Sequence, residues 1–273
     1  MRILYVGDVV GRAGRDLVCR TIPHLRQDLG IDFVIVNGEN AAHGFGITEK
    51  ICQALFDAGA DAIVTGNHAW DQREIINYID KEPRLLRPIN FPTGTPGRGV
   101  NVYEVSDGRR VVVAQAQGRL FMHAAEDPFR VLDGVVDECR LGTQVQAVFV
   151  DFHAEGTSEK MALGHFLDGR VSAVVGSHTH VPTADAQILP GGTGYLTDVG
   201  MCGDYDSVIG MEKRTATARF TQVLPTDRLE PAHGEATLCG VLLKTDDKSG
   251  LAVGIEPVRM GGRLSQTLPR NLA

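Results

Sequence analysis

The sequence predicts an α/β fold, built from two packed mixed β-sheets that are flanked by helices. Between residues 3 and 79, apolar strand-like runs alternate with helical patterns in the order β-α-β-α-β-α. This alternation is typical of parallel strands joined by right-handed crossovers. From residue 186 onwards the runs are mostly strand-like. A mixed first part and a β-rich last part indicate two sheets that pack face to face, with helices outside.

The first helix is predicted over residues 15–29, because apolar residues recur there at three-to-four spacing. Pro23 lies inside this pattern, so the helix is expected to kink or to split there, and Gly30 is expected to end it. The preceding residues 11–14 lack the patterns of nucleotide-binding loops and are interpreted as a loop near the site. Thr48 is the expected N-cap of the second helix.

The rest of the chain contains short runs separated by turns. Asp107-Gly108 lies between two strand-like runs and predicts a β-hairpin. No linker divides the chain, so a single domain is expected over residues 1–273. Further helices are expected near 72–79, over 128–139 and near 158–167, and the late strands are expected over 186–189, 194–197, 215–223, 236–244 and 251–257.

Composition and charge restrict the partners. The net charge of the 273 residues is −7 at pH 7, so we expect no strong binding to duplex nucleic acid. Five widely spaced cysteines favour reduced thiols in a cytoplasmic protein over a disulfide framework. No apolar run approaches the ~20 residues of a membrane span, and no signal-peptide pattern is visible, so no membrane partner is expected. The oligomeric state, including a homo-oligomer, stays open.

Polar residues that can bind metals follow five apolar strand-like runs, each at the carboxyl end of its run. The carboxyl ends of parallel strands share one crevice, where open α/β sheets bind ligands. We therefore expect these residues to lie together. They are Asp8, Glu39, Asn40, Asn67 with the adjacent His68, His153, His178 and His180.

The predicted ligands suit a pair of metal ions. Carboxylates, carboxamides and neutral imidazoles bind borderline metals such as iron, manganese or zinc, and the absence of cysteine argues against a structural zinc site. Seven ligands are too many for one ion, but they suit two ions that share a bridging carboxylate. Two such ions can clamp the attacking and leaving oxygens of a phosphoryl displacement.

These motifs, in their order, resemble those of the calcineurin-like metallophosphoesterases. The resemblance is carried by Gly7-Asp8, Gly66-Asn67-His68, His153 and Gly176-Ser177-His178-Thr179-His180. Two positions depart from that family's pattern. Val10 stands where a histidine is usual, and Glu39-Asn40 stands where an aspartate is usual, so Asn40 would supply the ligand that Val10 cannot. The variant pattern is similar to one subgroup, the YmdB-like phosphodiesterases.

The resemblance implies a four-layer metallophosphoesterase sandwich and a binuclear-metal phosphodiesterase. Its substrates would be small cyclic nucleotides, including 2′,3′-cyclic ones, hydrolysed by metal-activated hydroxide. Iron is the metal that the resemblance favours, with manganese or zinc as alternatives. His68 would act as general acid or stabilise charge on the phosphoryl group. The resemblance assigns Asp8, Glu39, Asn40 and His180 to one ion, and Glu39, Asn67, His153 and His178 to the other.

Other interpretations stay open beside this one. The same metals would serve a phosphomonoesterase or a nuclease, and a regulatory scaffold could retain a vestigial site. His43, in the glycine-rich loop after Asn40, is either a substrate-facing residue or a plain loop residue. Asp198 and residues 203–207 are interpreted as parts of turns rather than of the substrate pocket.

Overall fold

The computed structural model describes residues 1–224 and 227–269, which form two β-sheets and six helices. The strands are β1 (Arg2–Val6), β2 (Asp8–Val9), β3 (Phe33–Asn37), β4 (Ala62–Val64), β5 (Leu85–Leu86), β6 (Val100–Glu104), β7 (Arg110–Gln117), β8 (Ala147–His153), β9 (Ala173–Ser177), β10 (Gln187–Ile188), β11 (Gly194–Leu196), β12 (Met201–Asp204), β13 (Ala236–Thr245) and β14 (Ala252–Met260). The helices are α1 (Gly11–Asp28), α2 (Glu49–Asp57), α3 (Ile75–Tyr78), α4 (Pro128–Glu138), α5 (Thr157–Phe166) and α6 (Lys213–Thr221). None of them, within the described residues, has the length and apolar character needed to cross a membrane.

The first sheet carries the strands that lead to Asp8, Glu39 and Asn67. Its order is β2-β12-β13-β1-β3-β4-β5, and β14 also pairs with β13. Strands β1, β3, β4 and β5 are parallel, as the alternating pattern predicts, whereas β13 runs antiparallel to β1 and to β14. Consecutive parallel strands therefore end at one edge of the sheet, where the polar residues follow them.

The second sheet carries the strands that lead to the histidines. Its order is β10-β11-β9-β8-β7-β6, and β7, β8, β9 and β11 are parallel. Strands β6 and β7 form the predicted hairpin, in which Glu104 lies opposite Arg110. Gly108 has a φ of +84° in its turn, a conformation that glycine adopts without steric cost.

Each sheet packs one face on the other sheet and one face on helices. In β1, Leu4 belongs to the core that includes α1 and α2, whereas Ile3 and Tyr5 face the second sheet. The Tyr5 ring stacks on Phe149 of β8, with the ring centroids 5.2 Å apart. The outer face of the second sheet packs on α4 and α5, for example through Leu163. This helix–sheet–sheet–helix order confirms the predicted fold class.

The start of α1 differs from the prediction. Residues 11–14 form its first turn rather than a loop, and the helix continues through Pro23 without a break. The N-cap position is Val10, which offers no capping side chain, so the sequence carries no sign of this start. Ile22 and Leu25 are buried on either side of Pro23. Their packing holds one continuous helix although proline removes a backbone hydrogen bond.

The strand predicted over residues 215–223 is wrong. Residues Lys213–Thr221 form α6, and the Glu212 side chain caps it by accepting the N–H groups of Arg214 and Thr215, each at 2.9 Å. The β-branched threonines favour a strand on propensity alone, but a charged N-cap overrides that preference. Two further elements differ: α3 is one turn long, and Asp204 lies buried at the end of strand β12 rather than in a turn.

Candidate metal centre

The seven predicted ligands come from strand ends of both sheets, and five of them fall into two tight groups. The potential ligand atoms of Glu39, His153 and His178 lie within 4.8 Å of one another, and so do those of Asp8, Glu39 and His180. Glu39 belongs to both groups. This arrangement suits two cations that share one carboxylate, which is the bridging position that the sequence predicted for Glu39.

His153 occupies the centre of the first group. Its Nε2 atom lies 2.8 Å from Asn67 Oδ1 and 3.2 Å from Glu39 Oε1. The Nδ1 atom of His178 is 3.2 Å from the same Nε2. Four potential ligand atoms thus converge at one point. Asn67 therefore stands beside the first group, and its role as a ligand stays a prediction.

Three oxygens in the centre are buried without a hydrogen-bond partner. They belong to Asp8 (Oδ1), Glu39 (Oε1) and Asn40 (Oδ1), and these residues are at most 2% exposed. An unpartnered buried carboxylate is expensive, and bound cations remove that cost. The amide of Asn40 is oriented because its Nδ2 donates to the Gly44 carbonyl at 3.0 Å. The residues present therefore fit a pair of oxygen- and nitrogen-liganded metal ions.

The three histidines are held so that each presents one lone pair to the centre. His180 Nδ1 donates to the Ile209 carbonyl at 2.8 Å, and His178 Nε2 faces the Glu155 carboxylate at 3.2 Å. The Ile209 carbonyl only accepts, so His180 Nδ1 carries the proton, and the nearby Glu155 carboxylate favours a proton on His178 Nε2. The remaining nitrogens, His180 Nε2 and His178 Nδ1, are free to coordinate.

Two consecutive buried hydrogen bonds likewise orient the ring of His153. Its Nδ1 lies 2.9 Å from Ser177 Oγ, whose hydroxyl donates to Asp151 Oδ1 at 2.7 Å. Because the serine proton is directed to Asp151, the serine oxygen accepts from His153 Nδ1–H. His153 Nε2 is thereby left for a metal. Such outer partners fix the tautomer of a metal-binding imidazole.

Burial and neighbouring charges shift the pKa values of the residues in the centre in different directions. Burial alone would raise the pKa of Glu39, but the facing His153 outweighs it and lowers that pKa to about 2. Burial opposes the charge on His153, yet Glu39 raises the pKa of His153 to about 9. Burial lowers the pKa of His178 to about 3 and also lowers that of His180. These directions favour neutral imidazoles at His178 and His180, the form that coordinates a metal ion, and a charged His153 paired with Glu39.

The loop after β9 is held in an uncommon backbone conformation. His178 and His180 have φ angles of +98° and +65°, values that non-glycine residues rarely adopt. The Asp8 carboxylate accepts the His178 N–H at 2.9 Å, which ties the loop to the first sheet. Strain of this kind persists only when surrounding contacts hold it and is typical of functional sites.

A buried ion pair, which the sequence did not predict, supports this loop. Lys160 Nζ lies 2.7 Å from Asp198 Oδ2 and donates to the Ser177 carbonyl at 2.8 Å. Both side chains are 1% exposed. Asp198 also accepts the N–H groups of Thr179, at 3.1 Å, and Gly200, at 2.9 Å. Asp198, interpreted from sequence as a turn residue, therefore anchors the segment that carries His178 and His180.

Gly66 lets the first sheet approach the second at the centre. A Cβ atom at this position would overlap Glu39 Oε2 and His153 Nε2. The Gly66-Asn67-His68 motif therefore requires glycine for close approach, and any side chain would displace two predicted ligands.

His68 lies at the rim rather than among the ligands. Its Nδ1 is 2.8 Å from Asp71 Oδ2, and its side chain is 28% exposed. Its N–H donates to Glu39 Oε2 at 3.2 Å, and its ring packs edge-on against Phe45. Asp71 fixes one ring nitrogen, so the other is available to a molecule bound at the centre. This position is compatible with the predicted role as general acid.

Asn40→Ala tests the ligand that replaces the usual histidine of the related pattern. We expect the variant to bind one metal ion at least about tenfold more weakly than the natural protein, because it removes the buried Oδ1. Asn40→Asp, which restores an oxygen, should bind more tightly than Asn40→Ala. Isothermal titration of metal into metal-free protein measures both. Asn77→Ala, on the exposed side of α3, is the matched control. Unchanged affinity in Asn40→Ala would remove Asn40 from the ligand set.

Lys160→Met tests the buried ion pair. Breaking such a pair leaves an uncompensated charge, so the free energy of unfolding should fall by about 3–5 kcal/mol. Urea denaturation of the metal-free protein measures this. The control is Lys213→Met, which breaks a pair of the same 2.7 Å length with Asp206 at the surface, and it should lose far less. Equal losses in the two variants would contradict the anchoring role.

Comparisons with known proteins identify the family of this chain. A family model described as YmdB-like protein matches residues 4–258. A Bacillus subtilis (strain 168) protein named 2′,3′-cyclic-nucleotide 2′-phosphodiesterase is 51% identical over 258 residues, which cover 94% of this chain and 96% of that protein.

Two solved structures share the whole fold. One, described as a hypothetical protein from Thermus thermophilus, superposes with a TM-score of 0.89 at 44% identity and covers 96% of this chain and 100% of its own. The other, described as a novel phosphatase from Mycoplasma pneumoniae, has a TM-score of 0.87 at 33% identity and covers 100% of this chain and 96% of its own. The resemblance predicted from the motifs is confirmed, and the chain belongs to the YmdB-like family.

Proposed function

We propose that this protein is a metal-dependent phosphodiesterase that hydrolyses small cyclic nucleotides, 2′,3′-cyclic ones among them. The observation that carries the proposal is the position of Glu39, which belongs to both buried groups of potential ligands. The name of the Bacillus subtilis relative supports the substrate class. One ion would be held by Asp8, Glu39, Asn40 and His180, and the other by Glu39, Asn67, His153 and His178.

Bound metal ions would supply Lewis acidity, a lowered pKa for bound water, and positive charge for the phosphate. Three imidazoles, two carboxylates and two carboxamides suit iron, manganese or zinc, and we propose iron. The contribution of the chain is to hold these groups before substrate arrives. The distal nitrogens of His153, His178 and His180 are already engaged, so little reorganisation is needed.

We assign the proton transfer to His68. The Asp71 carboxylate accepts from Nδ1 at 2.8 Å, which leaves Nε2 to face the bound phosphate ester. A protonated Nε2 can donate to the leaving ester oxygen as the bond to phosphorus breaks. The partial exposure of His68 allows the proton to be replaced from solvent.

Phosphomonoesterase activity is the second candidate, because one solved relative is described as a phosphatase. The two functions are separable with one set of substrates. Protein purified without chelator should hydrolyse nucleoside 2′,3′-cyclic phosphates and bis-para-nitrophenyl phosphate faster than para-nitrophenyl phosphate. Elemental analysis of the same preparation identifies the metal. A faster rate on the monoester would favour the second candidate.

His68→Ala should retain both metal ions and lose about 10²- to 10⁴-fold in turnover, because the general acid is removed while the ligands remain. Metal content and kcat on a nucleoside 2′,3′-cyclic phosphate are the two measurements. His24→Ala, at an exposed position of α1, is the control and should behave as the natural protein. A near-natural rate in His68→Ala would exclude the proposed role.

We also propose a cytoplasmic location. All five cysteines are free thiols, and three of them, Cys52, Cys202 and Cys239, are buried in the core. Thiols that never pair are typical of a reducing compartment.

A further inference from the structure

A cleft of about 460 Å³ is lined by residues close in sequence or contact to the segments of the candidate metal centre, and its arginines outnumber its carboxylates. Two arginines, Arg12 and Arg228, and two histidines, His43 and His233, line it with Glu230 as the one carboxylate. All five side chains are exposed within the described part of the chain. The chain as a whole has a net charge of −7, so the cleft is a local exception in sign.

Two walls of the cleft are connected to the segment that carries Asn40. Arg12 follows Gly11, whose N–H donates to the Asn40 carbonyl at 2.9 Å. His43 lies three residues after Asn40, and its φ of +54° marks a sharp turn of that loop. Arg12 and His43 are therefore both positioned by segments that adjoin Asn40.

A third wall is connected to His68. Gln72 lines the cleft and its Nε2 donates to the Phe45 carbonyl at 2.7 Å. The Phe45 ring in turn packs against the His68 ring, with the centroids 5.2 Å apart. Gln72 and Phe45 therefore connect this wall of the cleft to His68.

The fourth wall, residues 228–233, is fixed to the loop that holds His180. The Ala232 N–H donates to the Gly210 carbonyl, and the Glu212 N–H donates to the Glu230 carbonyl, each at 2.8 Å. Gly210 follows Ile209, which accepts from His180 Nδ1. This wall thus has a defined position relative to the second group of potential ligands.

We propose that this cleft binds a second phosphate of the substrate, so that the preferred substrates are nucleoside cyclic phosphates that carry a further phosphate. The inference rests on the proposed function and deepens it. Guanidinium groups bind phosphate through two parallel hydrogen bonds. Arg12 is available for this because its partner Asp16, 3.3 Å away, lies at the surface and the arginine is 79% exposed; such pairs are weak.

The test compares a nucleoside 2′,3′-cyclic phosphate with the same molecule carrying a 5′-phosphate. The natural protein should show a higher kcat/KM for the 5′-phosphorylated substrate. The double variant Arg12→Gln, Arg228→Gln should lose about tenfold of this preference ratio. A ratio is used because any general change in activity cancels from it.

Two further variants sharpen the test. Arg20→Gln, Arg130→Gln removes the same charge from exposed positions elsewhere, and Arg130, like Arg12, pairs with a carboxylate four residues away. This control should keep the natural ratio. Glu230→Gln removes the carboxylate from the cleft and should raise the ratio, since repulsion of the second phosphate is relieved.

The outcomes separate this inference from the proposed function. Hydrolysis of both substrates without preference, or equal loss of preference in the control, would overturn the cleft assignment and leave the phosphodiesterase intact. Failure to hydrolyse either substrate would overturn the proposed function. In that event, calorimetric binding of the two molecules to the metal-loaded protein still decides the cleft. Equal affinities contradict it, and tighter binding of the phosphorylated one supports it.

Discussion

The structure depends on how two buried carboxyl groups are accommodated at the point where the two sheets meet. Asp8 and Glu39 are both buried, and each has an oxygen without a hydrogen-bond partner. Burial raises the pKa of Asp8 well above its usual range; the charge of His153 opposes this shift and that of Glu39 adds to it. Two carboxyl groups at one buried site are accommodated when one takes up a proton or when positive charge lies between them. The fold brings both sheets, and their histidines, to the point where such a charge would lie.

Much of this site was predictable because its signal is local. A polar residue at the carboxyl end of an apolar strand is visible in the sequence, and parallel strands bring such ends together. The supporting groups were not predictable for the opposite reason. Lys160 and Asp198 are 38 residues apart, and neither lies in a motif, so their pairing exists only after folding. The helix α6 was missed because one capping side chain, Glu212, decides against the β propensity of its threonines.

The predicted ligands and the cleft residues lie on the same segments of the chain. Asn40 begins the loop that carries His43, and the residues that hold His180 also hold the wall that carries Arg228. A site for the reacting phosphate and a site for a neighbouring charge are therefore built on shared segments. Because the segments are shared, the fold that positions the proposed metal ligands also sets the distance between the two sites. A rigid scaffold of this kind can select a substrate by the spacing of its phosphates.

The most direct measurement is anomalous diffraction from crystals of the metal-loaded protein, collected at the absorption edge of the metal that elemental analysis identifies. We expect two anomalous peaks per chain, one for each metal ion. Glu39 should contact both ions, and His153 and His180 should contact different ones. A single peak, or two peaks of which neither is reached by Glu39, would contradict this expectation.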